Sequence, residues 1–258
     1  MSARKQVVFN TLSKEVPAAS RTAPRFLHTC SVCSVISVAS IASVAGLIAI
    51  CPAEYKIPFW TFVQAGAWGS KTTITEAQMK WNLNMNLAFG AKGIQYFPMV
   101  EPTGYSTYDG KGMITESGET TEYYTYIKNL NQWIATVDDV LMNSESKGIM
   151  TTGYYANKNL KENGITTVDT YGKVSSIATN ETAAFNLTNG AVAGCFDYNG
   201  KTAVYVVNYD VSKAHTITLG LTEATNYRVL KNDGETDASG TSCAISLGAG
   251  EAALVVLD

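Results

Sequence analysis

Between residues 60 and 108 the chain gathers side chains suited to holding a neutral, polyhydroxylated molecule. Trp60, Trp68, Phe97, Tyr105 and Tyr108 offer flat apolar faces, and Gln64 and Glu101 offer hydrogen-bonding groups. Aromatic faces of this kind can stack on the C–H faces of pyranose rings, while an amide or a carboxylate pairs with hydroxyls. Glu101, which closely follows an apolar strand-like run and precedes Pro102, is also a candidate for acid–base or nucleophilic work. Packing competes for every ring, most of all for Trp60 and Phe97, which lie within strand-like runs, and a solvated loop carboxylate competes for Glu101. Further upstream, His28-x-Cys30-x-x-Cys33 has part of a zinc-ligand spacing, but zinc wants a fourth nitrogen or sulfur ligand and none is near. That cluster reads as accidental, and neither a metal nor a cofactor is expected.

Composition narrows the partners. The chain has 258 residues, 46% of them hydrophobic and 16% charged, ample for a packed core. Its formal charge of −3 hides an asymmetry, because residues 1–53 hold five basic side chains (Arg4, Lys5, Lys14, Arg21, Arg25) against Glu15 alone. The remainder is acidic and carries no basic stripe, which argues against nucleic acid, whose phosphates must be neutralised by clustered Lys and Arg. An uncharged ligand such as a sugar fits better. Five irregularly spaced cysteines spell no disulfide framework.

Positioning these side chains falls to two strand–helix units. Ile57–Gln64 is short, aromatic and β-branched with few charges, the pattern of a strand buried on both faces of a parallel sheet. After a polar loop, Thr75 with Gln78 three residues on makes a capping box. Ala77, Trp81, Met85 and Ala88 then recur at helical spacing before Gly90 ends the helix. Gly93–Phe97 reads as a second buried strand, parallel to the first because a helix crosses between them. A second helix shows Tyr123, Ile127, Leu130, Ile134, Val137 and Leu141 at alternating spacings of four and three, an apolar stripe turned to a core. Glu76 stands in the first turn of its helix, where a negative charge complements the dipole, so it is assigned to capping.

Upstream, residues 31–51 run SVC-SVI-SVA-SIA-SVA and on through Gly-Leu-Ile-Ala-Ile-Cys without a charge, a length able to cross a bilayer. This leader reads either as a signal or membrane anchor, which would place the protein outside the cell or on its surface, or as a low-complexity segment foreign to the domain that follows. From about residue 147 short alternating strands take over. Asn199-Gly200 joins Ala191–Tyr198 to Lys201–Asn208 in a type I′ hairpin. Asn189-Gly190 is a second turn signal, and further strands are expected near Ile149–Tyr155, Ala183–Leu187, His215–Leu219, Tyr227–Lys231, Cys243–Leu247 and Ala252–Leu257. About eight such strands make an antiparallel sandwich. His215, in alternation with strand residues, is read as a surface side chain.

Taken together, Ile57-Pro58-Phe59-Trp60-Thr61-Phe62-Val63-Gln64, Glu76-Ala77-Gln78-Met79-Lys80-Trp81 and Leu87-Ala88-Phe89-Gly90-Ala91-Lys92-Gly93-Ile94-Gln95-Tyr96-Phe97 resemble the seventh and eighth units of glycoside hydrolase (β/α)8 barrels. The nearest likeness is to family 42 β-galactosidases and related gut-bacterial glycosidases. The tail from Gly200 to Asp258 looks like the accessory β domain that closes many such barrels. The resemblance implies a fold of α/β plus all-β class, an incomplete (β/α)8 barrel followed by an antiparallel β-sandwich. The expected divisions are a leader over 1–52, barrel units over 53–146 and the sandwich over 147–258.

In that family one carboxylate ends strand four and a nucleophilic carboxylate ends strand seven, because a glycosidic bond needs a proton on its leaving oxygen and a carboxylate at the oxocarbenium-like centre. The strand-seven position falls at or near Gln64, an amide that cannot attack, and the leader holds nothing like the roughly 180 residues that six further units need. The resemblance therefore implies a glycosidase fragment, inactive by itself, that keeps sugar-contacting groups at its strand ends: Trp60, Gln64, Trp68, Phe97, Tyr105 and Tyr108, with Glu101 the sole catalytic candidate. The competing reading is a non-catalytic carbohydrate-binding protein, held to a membrane if residues 31–51 anchor it. Exposed edges of a two-stranded parallel sheet would also invite self-association.

Overall fold

The computed structural model describes residues 58–67, 73–100, 112–152, 160–162, 165–180 and 190–258. The leader stretch 31–51, the His28–Cys33 cluster and the expected strand at Ala183–Leu187 lie outside them. The first elements are a strand β1 (Trp60–Gln64), a helix α1 (Glu76–Ala88), a strand β2 (Gly93–Phe97) and a helix α2 (Glu122–Met142). β1 and β2 pair in parallel, with Trp60 opposite Gly93 and Gln64 opposite Phe97. The Thr75 capping box closes reciprocally: Gln78 N–H donates to Thr75 Oγ1 at 3.2 Å, and Thr75 N–H donates to Gln78 Oε1 at 2.8 Å. Glu76 in that first turn pairs with Lys80 one turn on, at 3.3 Å.

α1 departs from the expected stripe. Met79 and every residue from Trp81 to Ala88 are buried, including Asn82, Asn84 and Asn86. A helix covered on all sides needs an apolar surface or satisfied polar groups all round. Here β1, α2 and a second sheet each take a side, and the three asparagines find partners. The stripe on α2 is present, with Trp133 and Val140 added to it and Ile134 at its margin. Lys92, just before β2, donates to the carbonyls of Leu141 and Ser144, the latter at 2.8 Å, satisfying groups left open at the end of α2.

Among the described residues the second sheet has seven strands: β3 (Ser144–Thr151), β4 (Val174–Thr179), β5 (Ala191–Tyr198), β6 (Lys201–Asn208), β7 (His215–Lys231), β8 (Gly234–Leu247) and β9 (Ala252–Leu257). It is antiparallel throughout, in the order β3-β5-β6-β9-β7-β4, with β8 on β7. The Asn199-Gly200 turn takes positive φ at both residues, 53° and 82°, as a type I′ turn requires.

Two expectations are corrected. The short strands expected at His215–Leu219 and Tyr227–Lys231 are one long strand, β7, and the one expected at Cys243–Leu247 is the end of a second long strand, β8, whose pairing with β7 shifts between Gly220 and Thr225. And the sandwich is one continuous open sheet: along β7 the first half pairs with β4 and the second half with β9. That bend lays β4 and the first half of β7 over β5, β6 and β9. Ala193, Cys195, Val204, Val206, Val255 and Leu257 point into the enclosed core with Ile217, Leu219, Cys243 and Ile245. The alternate residues Val192, Phe196, Tyr205, Val207, Leu254 and Val256 point out to the helices. A strand with apolar neighbours on both faces reads as a continuous apolar run, which is why β9 is AALVVL with all six residues buried. Cys195 and Cys243 are buried thiols of this inner core, and burial pushes them up to about 12 and about 11.

The helices and the sheet share one core that runs across residues 146 and 147, and β3 itself spans that point. α1 approaches β5 so closely that a methyl group on Gly194 would lie 2.1 Å from the Ala88 carbonyl oxygen, so only glycine fits there. The described part of the chain is thus a mixed α and β structure with a small parallel sheet and a large antiparallel one.

Candidate functional site

The strands β1 and β2 have two different faces. On one, Thr61, Val63 and Ala65 are buried, and Ile94 and Tyr96 pack toward the helices. Thr61 Oγ1 donates to Asn86 Oδ1 of α1 at 3.0 Å, and Tyr96 OH donates to Asn131 Oδ1 of α2 at 2.9 Å. On the other, Trp60 is 48% exposed, Phe62 57% and Phe97 46%. Burial on both faces, expected from the apolar sequence, does not hold for either strand, each of which alternates buried and exposed residues; among the described residues a helix layer covers one side.

Register arranges this open face in three rows, because paired residues of neighbouring strands point the same way. Trp60 stands beside Gly93, Phe62 beside Gln95, and Gln64 beside Phe97. A ring stands beside an amide in two of the rows and beside a glycine in the third, and none of the six positions is charged. At the carboxyl end, Ala65 N–H donates to the Phe97 carbonyl at 2.7 Å, and Gln64 Nε2 donates to the Gly66 carbonyl at 2.7 Å. Gln64 is so held as a neutral hydrogen-bonding group beside Phe97. Met99 and Val100, 59% and 44% exposed, extend the apolar surface past β2. Of the residues proposed from sequence, Trp60, Gln64 and Phe97 thus share one surface, while Trp68, Glu101, Tyr105 and Tyr108 lie outside the described residues.

Other polar clusters read as structure. Trp133 Nε1 donates to Tyr205 OH at 2.8 Å and to Asn84 Oδ1 at 3.0 Å. Tyr205 OH donates to Asn84 Oδ1 at 2.7 Å, and Asn84 Nδ2 donates to the Gly250 carbonyl at 2.9 Å. This buried network ties α1, α2, β6 and the β8–β9 turn together. Helical spacing drew attention to Ile134, whereas Trp133 carries the polar contact; its indole N–H, which must find a partner when buried, was the available signal. Beside the network a cleft of about 180 Å³ is lined by Glu76, Lys80, Asn129 and Glu251, smaller than the roughly 300 Å³ at which ligand pockets begin. Its charges already pair, Lys80 with Glu251 at 3.2 Å. A wider groove of about 590 Å³ lies on the β7–β8 hairpin, where Lys201 meets Asp258 at 2.6 Å and Arg228 meets Glu235 at 3.3 Å.

His215 corrects its sequence reading outright. Only 3% exposed, it places Nε2 at 3.0 Å from Asp210 Oδ2 inside the fold. Strand alternation puts His215 in phase with Ile217 and Leu219, which face the inner core, and the Asp210 carboxylate satisfies its ring there.

Among the described residues no group of three or more His, Cys, Asp or Glu is set to hold a metal, and no helix is long and apolar enough to cross a membrane. No family model and no curated protein matches the chain.

Proposed function

We propose that this chain acts on carbohydrate as the C-terminal portion of a glycoside hydrolase barrel, with β1 and β2 as two of its staves. In that reading it contributes a sugar-contacting wall and does not hydrolyse glycosides by itself. One observation carries the reading: a parallel strand pair is packed by helices on one side and presents rings and amides, without charge, on the other. Barrel strands have this two-sidedness, since their outer faces meet helices and their inner faces fill the barrel. A glycosidase also needs two carboxylates at defined separation, and the surface formed by β1 and β2 carries Gln64 where one would stand.

The same open face favours a second reading, a non-catalytic carbohydrate-binding protein. Both readings predict that the purified chain leaves chromogenic glycosides intact over a panel of sugars. Turnover that Glu101→Gln abolishes would overturn the fragment reading and make Glu101 catalytic. Binding on a glycan array is expected under both, and a chain that ignores every glycan would remove them together.

A further inference from the structure

β8 runs for 14 residues along one side of β7, and among the described residues no strand lies on its other side. Its bonds all point back into the fold. Ser246 Oγ pairs with Thr216 Oγ1 at 3.2 Å, Glu235 holds Arg228 at 3.3 Å, and the Ser242 and Leu247 carbonyls accept from Tyr227 OH at 3.1 Å and Asn208 Nδ2 at 3.3 Å. Residues 234–239 are exposed, as are Thr241, Ser242, Ala244 and Ser246.

The other two edges of this sheet are protected. β3 carries Glu145 and Lys147, and a segment lies along it, where Ile149 N–H donates to the Thr166 carbonyl and Val168 N–H to the Ile149 carbonyl, both at 3.0 Å. β4 has only 6 residues and a bulge between Val174 and Ser176. Charge, cover, shortness and bulges all keep an edge from pairing with another chain. The second half of β8 has none of these. Thr-Ser-Cys-Ala-Ile-Ser-Leu, residues 241–247, holds no charge and no proline, and its pairing with β7 is regular from Ser242 to Leu247.

We infer that this edge joins two copies of the chain: Ser242–Leu247 pairs antiparallel with the same strand of a second copy, about a two-fold axis at Ala244, so that two large sheets become one. The sequence of β8 favours its own copy as the partner. Self-pairing keeps each side chain on its own face only in registers that match residues of the same parity. An axis at Ala244 does so, setting Cys243 beside Ile245 and Ser242 beside Ser246. Cys243 and Ile245 belong to the inner core, so that apolar row continues from one copy into the next, while small Ser and Ala side chains meet on the exposed face. Charge picks the same half of the strand. Glu235 and Asp237 lie outside the paired run, whereas an axis at Asp237 would set two carboxylates face to face, and like charges directly opposite destabilise a strand pair. Such an isologous joint is the commonest route to a closed dimer. It uses nothing of β1 or β2 and stands whether or not the chain binds sugar.

The test is sedimentation velocity of the full chain over a concentration series, where a monomer–dimer equilibrium is expected. Ala244→Lys, at an exposed position that faces its own copy across the axis, should weaken the dimer about tenfold or more, with the melting temperature of the dilute chain held. Ala244→Ser, which adds no charge, should dimerise like the unaltered chain. In the unaltered chain, hydrogen exchange read by peptide mass spectrometry should show protection of residues 242–247 rising with protein concentration, so the outcome does not depend on a variant folding. A chain that stays monomeric up to its solubility limit would overturn the proposal. So would a dimer that Ala244→Lys leaves intact, or one whose concentration-dependent protection falls on β1 and β2 or on residues 31–51 and spares β8.

Discussion

Asp210 keeps its charge in a place that should discourage it. Burial alone would raise its carboxyl, but hydrogen bonds from Ser212 Oγ, His215, and the Ser212 and Lys213 N–H groups outweigh burial and hold it below the usual carboxylate range. The stabilisation follows the sign of that depression. It is fully present above the unfolded-state value, about 3.9, and is lost as pH falls through the lower folded-state value. Asp210→Asn should therefore cost about 2 kcal/mol near neutral pH, as expected when hydrogen bonds to a buried charged group are replaced by bonds to a neutral one. It should also flatten the acid limb of the stability–pH curve, measured by urea denaturation from pH 2 to pH 7. An unchanged acid limb would show that Asp210 does not carry it. The neighbouring Asn208, fully buried and donating to the Lys213 and Gly248 carbonyls, explains why this loop tolerates so much polarity inside: its groups answer one another.

At the scale of elements, helices meet the sheet through the Asn84–Trp133–Tyr205 network. The three members are not equivalent. Tyr205→Phe removes one donor and one acceptor but leaves Trp133 Nε1 its bond to Asn84 Oδ1, so a loss of about 1 kcal/mol is expected. Asn84→Ala strips the acceptor from the phenol and the donor from the Gly250 carbonyl and leaves the indole only Tyr205 OH, and about 3 kcal/mol is expected from the unsatisfied groups left buried. The double variant should lose less than the two losses combined, because both act on one network. Equal single losses, or strict additivity in chemical denaturation, would contradict this account. The capping box and the α2 stripe were legible in the sequence because each depends on residues within one or two turns. The all-round burial of α1 was not, because it depends on what the β1–β2 sheet, α2 and the large sheet place around it.

For the whole molecule, the shared core carries the prediction. Val63, Met85, Trp133, Phe196, Tyr205 and Leu254 belong to one buried cluster drawn from the small sheet, both helices and the large sheet. Elements that share a core should unfold together. Far-ultraviolet circular dichroism, dominated by the strands, and tryptophan fluorescence, reporting Trp81 and Trp133 against the helices, should give coincident urea transitions. Two separated transitions would mean that the helical part and the sheet are independent folding units, as the expected division near residue 147 implies.

Local chemistry was readable from the residues alone: the strand–helix–strand succession, the Thr75 cap, the Asn199-Gly200 hairpin, and the presence of rings and amides between residues 60 and 97. Each is set by interactions a few residues long, whose partners the chain order supplies. Tertiary structure decided the rest. It determined that β1 and β2 are covered by helices on one face, that Trp60 lies across Gly93, that His215 points inward, and that the short strands expected over 215–247 are parts of two long strands in one bent sheet. Alternation states that a strand has two faces; which face meets a neighbour depends on segments far away in the chain, and only their packing answers it.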